Sequence, residues 1–131
     1  MKYSTTVTNN IILDLIKRKK GEYTEFIFLV YKDAMLPVAY LPSAEKYFRK
    51  IKDKNLKKEF KNAISQIRNN PNIGESKTGD LKGISCLDLF YNKTNYEIAY
   101  RLAKLENGDI VVIIMAGTRE NFYKELKRYL K

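Results

Sequence analysis

Apolar residues recur at intervals of three and four between Ala44 and Ile67, and at intervals of two between Leu87 and Leu102. The first period belongs to helices and the second to strands, so the chain divides into a helical part and a sheet-forming part. Ala44, Tyr47, Phe48 and Ile51 share one helical face behind Pro42-Ser43, where Ser43 is placed to cap the first turn. After a break at Asp53-Lys54-Asn55 the pattern resumes with Leu56, Phe60, Ala63, Ile64 and Ile67, and it ends at Asn69-Asn70-Pro71-Asn72. This predicts a helical hairpin. In the second part Leu87, Leu89 and Tyr91 alternate with Asp88 and Phe90, and Tyr96, Ile98, Tyr100 and Leu102 alternate with Glu97, Ala99 and Arg101. Two adjacent strands follow. Asn107-Gly108 is a strong hairpin signal leading into Ile110 to Met115, a run apolar on both faces and therefore a central strand. Thr118 is placed to cap a last helix whose core side carries Phe122, Leu126, Tyr129 and Leu130.

The opening region has a weaker pattern. Thr8 caps a short helix with Ile11, Ile12, Leu15 and Ile16 on one face, closed by the cations Lys17-Arg18-Lys19-Lys20 and by Gly21. Thr24 to Tyr31 reads as a strand, Lys32 to Met35 as a turn, and Leu36 to Leu41 as a second strand. With 131 residues, 44% of them hydrophobic, the whole is expected to form one α+β domain. The apolar blocks, Phe26 to Tyr31 among them, are too short to span a bilayer, and no opening run has signal-peptide length. Membrane insertion and secretion are not expected, and the cytoplasm is the expected location.

Charge narrows the partners. Lys and Arg number 25 against 15 Asp and Glu, a net +10 that favours polyanions or acidic proteins. The hairpin carries Lys46, Arg49, Lys50, Lys52, Lys54, Lys57, Lys58, Lys61 and Arg68 against Glu45, Asp53 and Glu59, which suits a solvated face as well as a polyanion contact. The absence of His, with Cys86 the only cysteine, excludes Ser-His-Asp and Cys-His sites, zinc clusters and an internal disulfide. Gly74, Gly79, Gly83 and Gly117 lack phosphate-loop spacing. What remains is chemistry run by Arg, Lys, Tyr, Asp and Glu, sufficient to position a phosphodiester and stabilise charge developing on it. The alternation puts Asp88, Phe90, Glu97 and Arg101 on the sheet face opposite Leu87, Leu89, Ile98 and Tyr100. If the helical hairpin covers the apolar face, the other face is open. Arg119 and Tyr123, four residues apart, are then expected to overhang it from the last helix. Tyr123 as half-buried packing and Arg119 as an ion-pair partner of Glu97 or Asp88 is the equally weighted structural alternative.

Ser43-Ala44, Asn70-Pro71, Leu81-Lys82-Gly83, Tyr96-Glu97-Ile98-Ala99-Tyr100 and Gly117-Thr118-Arg119 with Tyr123, in this order, resemble the RelE/ParE superfamily of toxins from bacterial type II toxin–antitoxin systems. The resemblance implies a helical hairpin packed on a twisted antiparallel sheet with a short C-terminal helix. Residues 36-131 would form the toxin domain and residues 1-35 an extension of the same domain. It also implies a toxin that cleaves messenger RNA in the ribosomal A site, as RelE-like members do, or poisons DNA gyrase, as ParE-like members do. Such toxins are held inactive by a small acidic antitoxin and need no metal or other cofactor. By this likeness Arg119 falls on the family's basic position after the last strand and Tyr123 near its C-terminal aromatic position. Asp88 and Phe90 stand where RelE-like nucleases place lysines, and Glu97 where many members have Arg. The site implied is therefore carboxylate-based. Glu97 or Asp88 takes the proton of a ribose 2′-hydroxyl, Arg101 and Arg119 hold the phosphate, and Tyr123 stacks on a base or assists the leaving oxygen. Lys82, Lys93, Lys127 and Arg128 are the expected RNA phosphate contacts.

Overall fold

A five-stranded sheet, ordered β1-β5-β4-β3-β2, organises residues 35–131, the part of the chain described by a computed structural model. The helix expected after Thr8 and the strand expected over Thr24 to Tyr31 lie outside the described residues. The strands are β1 (Val38–Tyr40), β2 (Glu75–Ser76), β3 (Ser85–Tyr91), β4 (Thr94–Leu105) and β5 (Gly108–Thr118). Three helices accompany them: α1 (Pro42–Lys50), α2 (Lys54–Asn69) and α3 (Phe122–Leu130).

The run Ile110 to Met115 is central, as its hydrophobicity on both faces requires: β5 lies between β1 and β4, and Ile110 through Ala116 are all buried. The β1–β5 contact is parallel, pairing Val38 with Val111, whereas the remaining ladders are antiparallel. The β4–β5 hairpin turns at Glu106 and Asn107, one residue before the expected Asn107-Gly108, and Gly108, at φ 135°, opens β5 opposite Leu105. The β3–β4 hairpin turns at Asn92 and Lys93, both with positive φ (49° and 64°), the backbone twist that matches paired strands.

α1 and α2 cover one face of the sheet. Phe60, Ile64 and Ile67 of α2 pack with Ile98, Tyr100 and Ile113, and the rings of Tyr47, Phe48 and Tyr96 stand edge-on around Phe60. α1 begins one residue before the expected cap. Pro42 occupies its first turn and Leu41 is the cap residue with no side-chain bond, because proline's fixed φ and missing N–H suit that position. Asp53, between the helices, caps α2 by accepting from the backbone N–H of Asn55 and Leu56 at 2.9 and 3.2 Å. The same carboxylate accepts from the Tyr91 hydroxyl at 3.0 Å, fastening α2 to the end of β3.

Four expectations are corrected here. Arg68 is buried rather than part of the charged face: its Nε donates to the Leu36 carbonyl at 2.6 Å, while the Leu36 N–H donates to the Arg68 carbonyl at 3.2 Å. The guanidinium thus clasps the segment entering β1. The second sheet face is open only in part, at Asp88, Phe90 and Arg101. Phe122 and Leu126 of α3, with Leu81 and Ile84 of the turn before β3, cover Cys86, Ala99, Ile114 and Met115. α3 starts at Phe122 because β5 continues to Thr118, and Asn121, in the left-handed region at φ 66°, is its cap residue without a side-chain bond. The apolar stripe of α3 ends at Leu126; Tyr129 and Leu130 are exposed. No helix of the described residues is long and apolar enough to cross a membrane.

Tyr100 links the sheet to the loop after α2. Its buried hydroxyl donates to the Pro71 carbonyl at 2.6 Å and accepts from the Gly74 N–H at 2.9 Å. Tyr100→Phe leaves both groups short of a partner without changing the ring. The expected loss is about 1–3 kcal/mol, read as a lowered midpoint in urea unfolding. An unchanged midpoint would show that solvent replaces both bonds.

Candidate functional site

Strand register creates a carboxyl pair. Asp88 of β3 lies directly opposite Glu97 of β4, and Glu97 lies opposite Gly117 of β5, so an acid from a central strand meets an acid on one side and a residue without a side chain on the other. Two groups arrive from beyond β5. Arg119 precedes α3 rather than standing in its first turn, and its backbone N–H donates to the Asn95 carbonyl at 2.9 Å. Tyr123 stands in the first turn of α3 and donates its hydroxyl proton to Glu97 Oε1 at 3.1 Å. Arg119 Nε approaches Glu97 Oε2 at 3.4 Å, an ion pair whose guanidinium side chain remains 57% exposed while Glu97 is 1% exposed.

That burial governs the electrostatics. Loss of hydration pushes the Glu97 carboxyl up to about 7, and hydrogen bonding with the Asp88 carboxyl and repulsion by it push the same way; Tyr123 and Arg119 oppose the rise. Glu97 Oε2 has no hydrogen-bond partner despite its ion pair. Two ionised carboxylates side by side hold no donor between them, whereas a proton on Glu97 supplies one. Asp88 is the exposed member of the pair.

Three neighbours complete the cluster. Burial, and behind it the charges of Cys86 and Glu97, pushes the Tyr123 phenol up to about 12, so it stays protonated. Lys77 Nζ lies 4.9 Å from the centre of the Tyr123 ring and bonds Glu75 at 3.0 Å, and that bond holds its ammonium above the ordinary lysine range. Burial pushes the Cys86 thiol up to about 11, against the opposing pull of Tyr123 and Lys77. Sequence reasoning singled out neither Lys77 nor Cys86 for this face. Cys86 carried a signal, standing two residues before Asp88 in the same alternation. Lys77 carried none, because Glu75 to Thr78 has no period.

The fold brings together Asp88, Glu97, Arg119 and Tyr123. Arg101 lies on the same side of β4 but four residues further along, ~13 Å away at strand spacing, and it is exposed. Lys82 lies in the turn before β3, Lys93 in the β3–β4 turn, and Lys127 and Arg128 late in α3; all four are exposed. Among the described residues none of these five shares a hydrogen bond or ion pair with the cluster. No three His, Cys, Asp or Glu side chains of the described residues gather to hold a metal ion. A separate groove of about 750 Å³ lies between α1, the end of β5 and α3, lined by Lys46, Met115, Asn121 and Tyr129 among others; none of the charged cluster lines it.

Residues 38–127 match the family described as ParE-like toxin of type II bacterial toxin-antitoxin system. The chain belongs to that family. Solved structures similar to the toxin include the RelBE2 toxin–antitoxin complex of Mycobacterium tuberculosis, at 20% identity and a TM-score of 0.50 over 66% of this chain and 100% of that one. A free RelE mutant from Escherichia coli is similar at 15% identity and a TM-score of 0.54, covering 72% of the toxin and 93% of RelE. The YoeB/ParE toxin of Agrobacterium tumefaciens is similar at 14% identity and a TM-score of 0.51, covering 63% and 97% respectively. At these identities the likeness is one of fold, and the toxin has the expected helical hairpin on a twisted sheet with a short C-terminal helix. No curated protein matches the toxin.

The raised pKa of Glu97 makes stability depend on pH. Its folded value, about 7, exceeds the ordinary 4.5, so its contribution is fully present below about pH 4.5 and is lost as pH rises through 7. Glu97→Gln keeps the neutral form at every pH. The substitution is expected to stabilise the toxin by on the order of 3 kcal/mol at about pH 8.5 and by little at about pH 4, measured by urea unfolding at both. A difference that does not change with pH would mean that Glu97 folds as an ordinary ionised carboxylate.

Proposed function

We propose that the toxin arrests growth by cleaving messenger RNA, with the Asp88–Glu97 pair as its proton-transfer centre. The observation that carries this reading is one carboxyl pair, half buried and half exposed, within reach of an exposed guanidinium and a protonated phenol. Asp88, open to solvent, accepts the proton of a ribose 2′-hydroxyl as its oxygen forms a bond to the adjacent phosphorus. Arg119 bears the charge that develops on the phosphoryl oxygens. The bond from phosphorus to the 5′-oxygen breaks, and Tyr123 protonates that oxygen. The products are a 2′,3′-cyclic phosphate and a 5′-hydroxyl. The proton held by Glu97 returns to Tyr123 along their hydrogen bond, and the proton on Asp88 replaces it, which restores the starting state.

The +10 charge supports both partners of this reading, an RNA substrate and a small acidic antitoxin that neutralises the surface. The cytoplasm, where messenger RNA and ribosomes are, is the corresponding location. One observation favours a second reading, in which the toxin acts on DNA gyrase by binding alone: Glu97 is wholly buried beneath Arg119 and Tyr123, as a purely structural cluster would be.

Induction of the toxin in bacteria is expected to cleave transcripts and stop translation before replication. Asp88→Asn and Arg119→Ala, folded as judged by circular dichroism, are expected to lose about 10²- to 10³-fold in cleavage rate. Growth arrest with intact transcripts and stalled replication would replace this reading with the gyrase one.

A further inference from the structure

Phe90 is, among the described residues, the most exposed of the large hydrophobic side chains, at 66%. It alternates with Asp88 and so stands on the same side of β3, one step of ~7 Å from the carboxyl pair. Its neighbours Leu89 and Tyr91 point the other way and pack against the core under α1 and α2. β2 pairs only with Ser85 and Cys86, so among the described residues no strand lies outside β3 at Phe90 to shelter the ring.

The position is joined to the site by backbone. Phe90 lies directly opposite Asn95, and the Asn95 carbonyl is the group that accepts the Arg119 N–H. The rung of Phe90 and Asn95 is thus two along from Asp88 and Glu97, the next on the same face, and Arg119 is fixed to it. Asn95 is itself exposed, and its amide offers a donor and an acceptor of the kind that reads the edge of a base. An isolated exposed phenylalanine needs no explanation, but this one adjoins an acid pair and an exposed guanidinium on a sheet surface.

We propose that Phe90 is the platform on which a base of single-stranded RNA stacks, setting the neighbouring phosphodiester over Asp88 and Arg119. An aromatic ring on a sheet binds bases of any sequence through their faces, and its charged neighbours hold the backbone. The proposal rests on the RNA-cleaving reading for its substrate, although stacking requires no chemistry.

The test uses the full chain carrying Asp88→Asn to suppress cleavage and a fluorescently labelled single-stranded RNA oligonucleotide, intact or with one abasic position. Adding Phe90→Ala is expected to weaken binding of the intact RNA by about fivefold to a hundredfold, and Phe90→Tyr to restore it. With the abasic position at the stacked base, Phe90→Ala is expected to make no difference. With Asp88 restored, Phe90→Ala should raise KM more than it lowers kcat. Because the ring is exposed, the substitution is expected to leave the unfolding midpoint unchanged. RNA binding indifferent to Phe90→Ala overturns the proposal, even if cleavage persists and the proposed function stands. So does a loss confined to binding of a protein partner. Base-dependent binding that needs Phe90, without any cleavage by the parent chain, upholds the platform while removing the nuclease.

Discussion

Covering both faces of one antiparallel ladder, β4 with β5, is the constraint on which the rest of the molecule depends. These strands span Thr94 to Leu105 and Gly108 to Thr118; β5 cannot be half solvated, because Ile110 through Ala116 are apolar throughout, and β4 is buried beside it from Glu97 to Tyr100. The helical hairpin answers for one face and α3 with the turn before β3 for the other. Closing the second face over Ala99, Ile114 and Met115 also buries the neighbour that β4 presents there, Glu97. The chemistry of the site is in this sense a by-product of packing: the acid is desolvated because the sheet around it has to be dry.

Much of this architecture was legible in the sequence. Period-three-and-four spacing over Ala44 to Ile67 located the hairpin, and period-two spacing located β3 and β4, because each pattern has one geometry that collects its apolar side chains. The caps were less legible. Ser43 and Thr118 are good capping residue types, yet Pro42 and the continuation of β5 take precedence, since a fixed φ and a running ladder each contribute more than one side-chain bond. Arg68 was misread as surface because periodicity counts charge as outward-facing, whereas Leu36 supplies a carbonyl that makes its burial tolerable.

Within the site, alternation alone placed Asp88 and Glu97 on one face, and register then made them neighbours. The burial of Glu97 was not legible, because it depends on where α3 lands after Asn121. Neither was the part of Lys77, which comes from a stretch without secondary-structure period and meets Tyr123 only through the tertiary fold. Burial of an acid beside another acid opposes folding above neutral pH, and the Arg119 ion pair and Tyr123 hydrogen bond offset only part of that opposition. The fold thus holds a strained electrostatic arrangement that a glutamine would relieve.

The attachment of Arg119 divides the cluster between two mechanical bodies. Its backbone belongs to the sheet through Asn95, as Asp88 and Glu97 do through their ladders, whereas Tyr123 belongs to a helix held to the sheet by Phe122 and Leu126. Peeling that helix away would carry off the phenol and uncover the buried carboxyl, while guanidinium and acid pair kept their places. Any macromolecule that grips α3 therefore holds a lever on the proton inventory of the site without touching its charges.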